Sequence, residues 1–492
     1  MTNIIHENFR DELIKRVWKN EASKIIEYIR LPLKKSIFIN TSKYCWAQFY
    51  KSVEKMWWTL NNPERYTDQK EGHTWWCYID RENLDTALGN TFLHKAWYFY
   101  IQEIAASSSA INIDTNPGDI ILDMAAAPWG KTSQLANKLL LKTKEEPWDP
   151  WLVIANDISP KRIPQLAHNI NRWGYYNTAI TKVNWFSFGK NIPNFFDHVL
   201  LDAPCSGEWT WFKSDAALKH RKQEEINKIV WTQFQLLVSA IKTCKKWWTI
   251  VYSTCTLNPF ENELLIEKAI EFFWETIKVV DLHIQTWSTW LELEWIDSQR
   301  TKMYARCRPH KQKTWGFFIA KLIKTEETPV NANIYAHKLL PRNQFKLDSS
   351  KKLQKEVQKY IKTFFGITID ENKHFFVSSK EKVYLCSPKA KDILQKLHLE
   401  KIWIPVLKTD RFTQFRPTHY LWNILWHLAT KNTIEIKWEV AQRYVLQKEV
   451  TCEEMWIKHT QWEYPYRILT RNKSWFSLTK LVKWELKNKF GK

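Results

Sequence analysis

The stretch from residue 196 to 258 constrains the fold of this chain more than any other. It opens with FDHVLLDAPCSGE, an apolar run closed by Asp202 and followed by Ala203, Pro204 and Cys205. It closes with TIVYSTCT, a β-branched run with Cys255 just beyond it. Between the two, Ile226, Ile229, Val230, Leu236, Leu237 and Ile241 recur at helical spacing. A strand–helix–strand unit of this kind nearly always sets its strands parallel in one sheet. Both thiols then fall at the carboxyl edge, where open α/β sheets bind ligands. Two thiols at one sheet edge point to chemistry.

A chain of 492 residues has room for two or three domains. It has no apolar run long enough to cross a bilayer and no basic-then-apolar start, so neither a membrane association nor a signal peptide is expected. Eight cysteines without a CxxC pair fit a reduced, cytoplasmic setting, and no metal is expected. Lys and Arg number 73 against 52 Asp and Glu, a net charge of +21 that favours a polyanion as partner.

The count of tryptophan is abnormal: 30, against 10 glycines. Glycine is about 2% of this chain where about 7% is usual, and the two types together come to about 8%. Placement is odder still. Lys246-Trp247-Trp248-Thr249 falls where a helix must stop and a strand begin, a turn that calls for positive φ and hence glycine. Pro128-Trp129-Gly130 falls in another tight turn. The expectation is that most of these tryptophans are glycines, with UGA codons read as Trp under the wrong genetic code.

Taken in order, residues 1–95 read as a basic, helical region, with amphipathic spacing through Leu13, Ile14, Val17, Ile25 and Ile26. Residues 91–104 read as one helix leading into a central domain over 96–325. That domain opens with a buried strand, DIILDM, then Ala125, Ala126, Ala127, Pro128, Trp129, Gly130 and Lys131, a tight turn into a helix whose N-terminus can meet a ligand. The GxxxxGK[ST] spacing of a P-loop is missing. A second strand ends at Asp157, placed to take the ribose hydroxyls of an adenosine. Pro164 is expected to bend the following helix. A third strand ends near Asn184. The whole reads as α/β, a Rossmann-like nucleoside-binding core. A linker over 324–333 leads to a mixed C-terminal region over 335–492, and all the cofactor motifs lie upstream of it.

DMAAAPWGKT, NDISPKR, FDHVLLDAPCSGE and VYSTCTLNPFENE together resemble the Sun-type (NOL/NOP/Sun) RNA cytosine-5 methyltransferases, over residues 91–322. The C-terminal region more weakly resembles the PUA-like domain of the bacterial ribosomal members. Ala125 departs from a usual Cys, Asn184 from a usual Asp, and Trp129, Trp185, Trp209, Trp247, Trp248 and Trp315 stand on family glycines.

The resemblance implies a Rossmann-like methyltransferase core with a helical N-terminal RNA-binding domain and an α+β PUA-like C-terminal domain. Its cofactor is S-adenosylmethionine. Its partner is RNA, ribosomal first and transfer RNA as the alternative, and a monomer is expected. Cys255 is the implied nucleophile toward carbon 6 of cytosine, and Cys205 the thiol that helps break the adduct. The reversed order is the runner-up. Asp202 and Lys131 lie beside them. Residues 125–131, Asp157, Asn184 and Asp202 are the implied cofactor contacts. A genuine Trp129 would block the cofactor, and if Trp129 and Trp209 are both genuine the alternative is a catalytically inactive RNA-binding factor. Arg306, Arg308, His310, Lys311 and Lys313 form a basic cluster within reach of RNA phosphates or solvent.

Overall fold

The computed structural model describes residues 13–14, 19–29, 31, 33–41, 46–54, 56–61, 76–81, 86–116, 118–145, 151–207, 223–282, 298–329, 348–371, 374–379, 381–390, 393, 397, 399–401, 404–409, 415–425, 428–431, 433–436, 466–471 and 474–475. Helix α1 (Lys19–Ile29) is followed by four short strands, β1 (Ser36–Ile39), β2 (Trp58–Asn61), β3 (Trp76–Arg81) and β4 (Phe99–Ile101). They form an antiparallel sheet in the order β2-β3-β1-β4. So the N-terminal region adds to its helices a sheet that its polar stretch did not announce. The single helix expected over 91–104 is broken: a short turn of helix, Phe92–Lys95, ends at Trp97 with φ 65°, and β4 follows. An indole at a turn disguised the break.

Helix α2 (Ile104–Ile111) leads into the central sheet. There β5 (Ile120–Asp123), α3 (Gly130–Glu145), β6 (Leu152–Asn156), α4 (Ile163–Trp173), β7 (Thr178–Thr181), α5 (Trp185–Asn191), β8 (His198–Asp202), α6 (Gln223–Thr243) and β9 (Thr249–Thr254) alternate. Helix α7 (Glu263–Phe273), β10 (Ile277–Val280), β11 (Ala305–Cys307) and β12 (Phe317–Lys324) complete it. The strands from β5 to β9 are fully buried along almost their whole length, as a parallel sheet covered on both faces requires. They pair in parallel, in the order β9-β8-β5-β6-β7, and β12 then β10 add antiparallel beyond β9. Strand order reverses between β5 and β8, the switch point at which such sheets open a ligand crevice. Pro164 sits in the first turn of α4, where no backbone donor is needed, so it starts the helix rather than bending it.

The C-terminal region carries α8 (Lys351–Phe365) and the strands β13 (Phe375–Ser379), β14 (Lys382–Cys386), β15 (Leu399–Lys401), β16 (Ile404–Thr409) and β17 (Phe415–Pro417). β13, β14, β16 and β17 make an antiparallel sheet. β15 leaves it and pairs antiparallel with β7, closing the outer edge of the central sheet. Phe375, Val377, Cys386, Ile393, Leu397 and Leu399 belong to the same buried cluster as Leu122, Ile154 and Leu201. The C-terminal region therefore shares a core with the central domain. Three further strands, 433–436, 466–471 and 474–475, form a small sheet of their own. Among the described residues no helix is long and apolar enough to cross a membrane.

Candidate active site

Three strand ends converge at the switch point. β5 ends on Asp123, β8 on Asp202, and β9 on Thr254 with Cys255 next. The register pairs Asp123 with Leu200 and Asp202 with Ser253, so neighbouring ends lie level. Parallel pairing thus brings together residues far apart in sequence. Cys205 Sγ lies 3.2 Å from Cys255 Sγ. Lys131, on the first turn of α3, places Nζ 2.6 Å from Asp202 Oδ2, and Ser253 donates to Asp202 Oδ1 at 2.8 Å.

The turn between β5 and α3 is pinned on both sides. Thr132 Oγ donates to Asp123 Oδ2 at 2.6 Å, and Ala127 N donates to Asp157 Oδ2 at 3.3 Å. Asp157 is buried at the end of β6, where Oδ1 accepts Ser159 N and pairs with Arg162. A carboxylate offers about four acceptor positions, so Asp157 keeps capacity for a further donor from a ligand. With the backbone of residues 125–131 beside it, the edge fits a nucleoside cofactor.

A family model described as 16S rRNA methyltransferase RsmB/F matches residues 110–323. A ribosomal RNA small subunit methyltransferase F of Shewanella woodyi is 30% identical over 438 residues, covering 87% of this chain and 84% of that protein. The chain belongs to the RsmB/F methyltransferase family. The corresponding protein of Erwinia tasmaniensis is 33% identical over 321 residues, 63% of this chain and 61% of that one. A methyltransferase homologue from Pyrococcus horikoshii superposes with a TM-score of 0.54 at 28% identity, covering 64% of this chain and 93% of its own. NSun6 from the same organism, solved with SFG, shares the fold with a TM-score of 0.55 at 22% identity, over 65% and 99% of the two chains. As an RsmB/F member the protein is an RNA methyltransferase whose cofactor is S-adenosylmethionine.

Electrostatics sort the groups of this RsmB/F site. The hydrogen bond to Cys255, then burial, push the Cys205 thiol well above its ordinary range, so Cys205 stays a neutral thiol. Burial pulls Lys131 down, but the charge and hydrogen bond of Asp202 outweigh it and hold the ammonium charged. Burial raises Asp123 to about 7.

Two other expected contacts have partners within the protein. Asn184 is exposed, and its Oδ1 caps α5 by accepting Phe186 N at 3.0 Å. Trp129 is buried with its ring 4.5 Å from Tyr100 and 5.3 Å from Trp173. The basic cluster is taken apart. Arg306 is buried, donates to both carboxylate oxygens of Glu263, and reaches Leu257 O at 2.7 Å. Arg308 donates to Glu21 on α1, and His310 and Lys311 gather around the same carboxylate. Arg308, His310 and Lys311 thus tie the N-terminal helix to the core, and Lys311 and Lys313 are exposed.

Several residues that brace the candidate site escaped the sequence reading: Asp123, Ser253, Gln233, Glu261 and Asn262. All but Gln233 lie inside quoted motifs, so proximity to the cysteines was the available signal. Among the described residues no group of His, Cys, Asp and Glu could hold a metal.

Proposed function

We propose that the protein methylates carbon 5 of a cytidine in ribosomal RNA through a covalent adduct on Cys255. The observation that carries this is the 3.2 Å approach of two thiols on adjacent strand ends, beside a charged lysine–carboxylate pair. Carbon 5 of cytosine is a weak nucleophile. Addition of the Cys255 thiolate forms an S–C6 bond and moves the ring's π pair to carbon 5. The 125–131 turn and Asp157 would hold S-adenosylmethionine, which would supply an electrophilic methyl group to carbon 5 and leave as the neutral thioether. Release then needs the C5 proton removed, so that its electron pair re-forms the double bond and expels the Cys255 sulfur.

The order of events follows from the hydrogen bond. While Cys255 is free, the hydrogen bond between the two sulfurs keeps the Cys205 thiol protonated. Once Cys255 is bonded to carbon 6, that hydrogen bond is weakened and Cys205 can ionise. Cys205 becomes a base only after Cys255 has been used.

The names of the relatives favour small-subunit ribosomal RNA, and transfer RNA is the alternative. The N- and C-terminal regions, over 1–95 and 335–492, are proposed to grip the RNA, the latter as a PUA-like unit, and the net charge of +21 supports this. The target base must leave its stack to reach the thiols. Labelled methyl transfer to purified small-subunit and transfer RNA separates the two substrates. Cys255→Ala is expected to abolish transfer and adduct. Cys205→Ala is expected to leave enzyme joined to RNA, a slow band on a denaturing gel. The opposite pattern would reverse the two roles.

A further inference from the structure

Five tryptophans lie where the backbone asks for glycine. Among the described residues, seven that are not glycine have positive φ, and five of these are tryptophan: Trp57 at 57°, Trp97 at 65°, Trp129 at 111°, Trp247 at 69° and Trp274 at 49°. Bulky side chains are outliers there, because Cβ crowds the neighbouring carbonyl oxygen, whereas glycine pays no such penalty. True glycines in this chain hold the same kind of post: Gly174 and Gly366 end α4 and α8 in the left-handed conformation. Trp274 follows α7 in the same way, with φ 49° and ψ −130°, close to a region almost reserved for glycine. Strain of this sort persists only where surroundings enforce it. Yet Trp57, Trp247 and Trp274 are 81%, 66% and 73% exposed, so no burial of the indole compensates.

We propose that residues 57, 97, 129, 247 and 274 are glycine in the natural protein, their UGA codons being decoded as glycine. Geometry adds 57, 97 and 274 to the turns that the sequence singled out. It makes no such demand at 185, 248 and 315, which are absent from the positive-φ set, and 209 lies outside the described residues. At 129 glycine would replace the indole packed on Tyr100 and open the β5–α3 turn to close approach of a ligand.

Two measurements test this, and neither involves methyl transfer. Peptide mass spectrometry of the protein from its natural host should find glycine at 247 and 274, and tryptophan there overturns the proposal. Second, the chain as written is compared with a Trp57→Gly, Trp247→Gly, Trp274→Gly variant, at positions where little packing is lost. The melting midpoint should rise by about 5 °C. An equal or lower midpoint contradicts the backbone argument.

A separate observation concerns what sets the distance between the two thiols. Glu261 and Asn262, adjacent and fully buried, each hold one cysteine loop. Glu261 Oε2 accepts Ser206 N at 2.8 Å and Gln233 Nε2 at 2.9 Å, and that same amide donates to Pro204 O at 3.0 Å. Residues 204 and 206 flank Cys205. Asn262 Oδ1 accepts Thr254 Oγ at 2.6 Å and its Nδ2 donates to Thr256 O at 2.9 Å. Residues 254 and 256 flank Cys255. Ser206 Oγ to Thr256 Oγ, at 3.1 Å, links the two loops. Tyr252 OH donates to Glu261 O at 2.7 Å and anchors the pair to β9.

We infer that Glu261 and Asn262 are positioning residues that fix the thiol–thiol approach, an inference resting on the proposed two-cysteine chemistry. Glu261→Gln removes the charge and one of the two acceptor oxygens that face the Cys205 loop. The affinity for S-adenosylmethionine should hold, while resolution of the adduct slows about ten- to a hundred-fold and the adduct accumulates. Asn262→Ala should instead slow adduct formation. Gln233→Met, which leaves the carboxylate in place, should give the Glu261→Gln phenotype more mildly and covers the case of a misfolded Glu261 variant. Unchanged single-turnover rates in folded Glu261→Gln and Gln233→Met overturn the inference. No adduct from Cys205→Ala would instead sink the two-cysteine chemistry itself.

Discussion

Cys205 Sγ and Cys255 Sγ stand 3.2 Å apart on loops that leave neighbouring parallel strands. The Cys205 thiol is held high chiefly by its hydrogen bond with Cys255 and then by burial. Cys255→Ala removes the first cause and leaves the second. Cys205 should therefore ionise at a lower pH in Cys255→Ala than in the unaltered protein, though still above an exposed thiol. Thiolate absorbance or alkylation rate against pH measures this. An unmoved titration would show that burial alone governs Cys205 and that the sequence of base activation is wrong.

Asp123 predicts a pH dependence of stability. Burial raises its carboxyl from the ordinary 3.8 to about 7. The folded protein keeps this proton to a higher pH than the unfolded chain does. Its contribution is thus fully present below about pH 4 and is lost as pH rises through about 7. Each unit is worth about 1.4 kcal/mol, so the loss has an upper bound of about 4 kcal/mol. Asp123→Asn mimics the protonated form and keeps an acceptor for Thr132. Urea titrations from pH 5 to 8 should show unaltered protein losing stability relative to Asp123→Asn. Parallel curves would refute the assignment.

The Arg306–Glu263 pair is buried, with both carboxylate oxygens engaged. Removing one partner strands the other charge, at a cost of about 3–5 kcal/mol. Arg306→Met should therefore be strongly destabilising, and Arg306→Met with Glu263→Met much less so. Denaturant midpoints decide this. Additive losses would mean that the two side chains do not act as a pair.

RNA affinity should fall steeply with salt, log affinity linear in log concentration, if phosphates supply most of it. With its guanidinium buried on Glu263, Arg306 should contribute nothing to that slope, and the charge-removing double variant Arg306→Met with Glu263→Met should leave the slope unchanged in folded protein. A slope reduced by about one unit would place Arg306 on a phosphate after all.

Much of the candidate site was legible because its motifs are contiguous: DMAAAPWGKT, LDAPCSG and YSTCT each lie across a single strand end. That the central strands run parallel in an α/β core followed from alternating buried runs and amphipathic helices; their order across the sheet did not. Three things were hidden. Burial of Arg306 depends on Glu263, which is on another element, so a basic cluster in sequence became an internal ion pair. Asn184 kept a polar side chain but spent it on a helix cap. And the break at residue 97 was masked, because the residue written there is a helix-tolerant indole rather than a glycine. Tertiary partners and turn chemistry, not periodicity, decided all three.

β15 carries a consequence for how the protein is made. The outer edge of the catalytic sheet, β7, is synthesised by residue 181, yet the strand that covers it spans 399–401. During translation the edge stays uncovered while about 200 further residues are added, and an open edge is a template for pairing with other chains. The nascent chain is thus most exposed to mispairing after its active site has been encoded and before its last region has emerged.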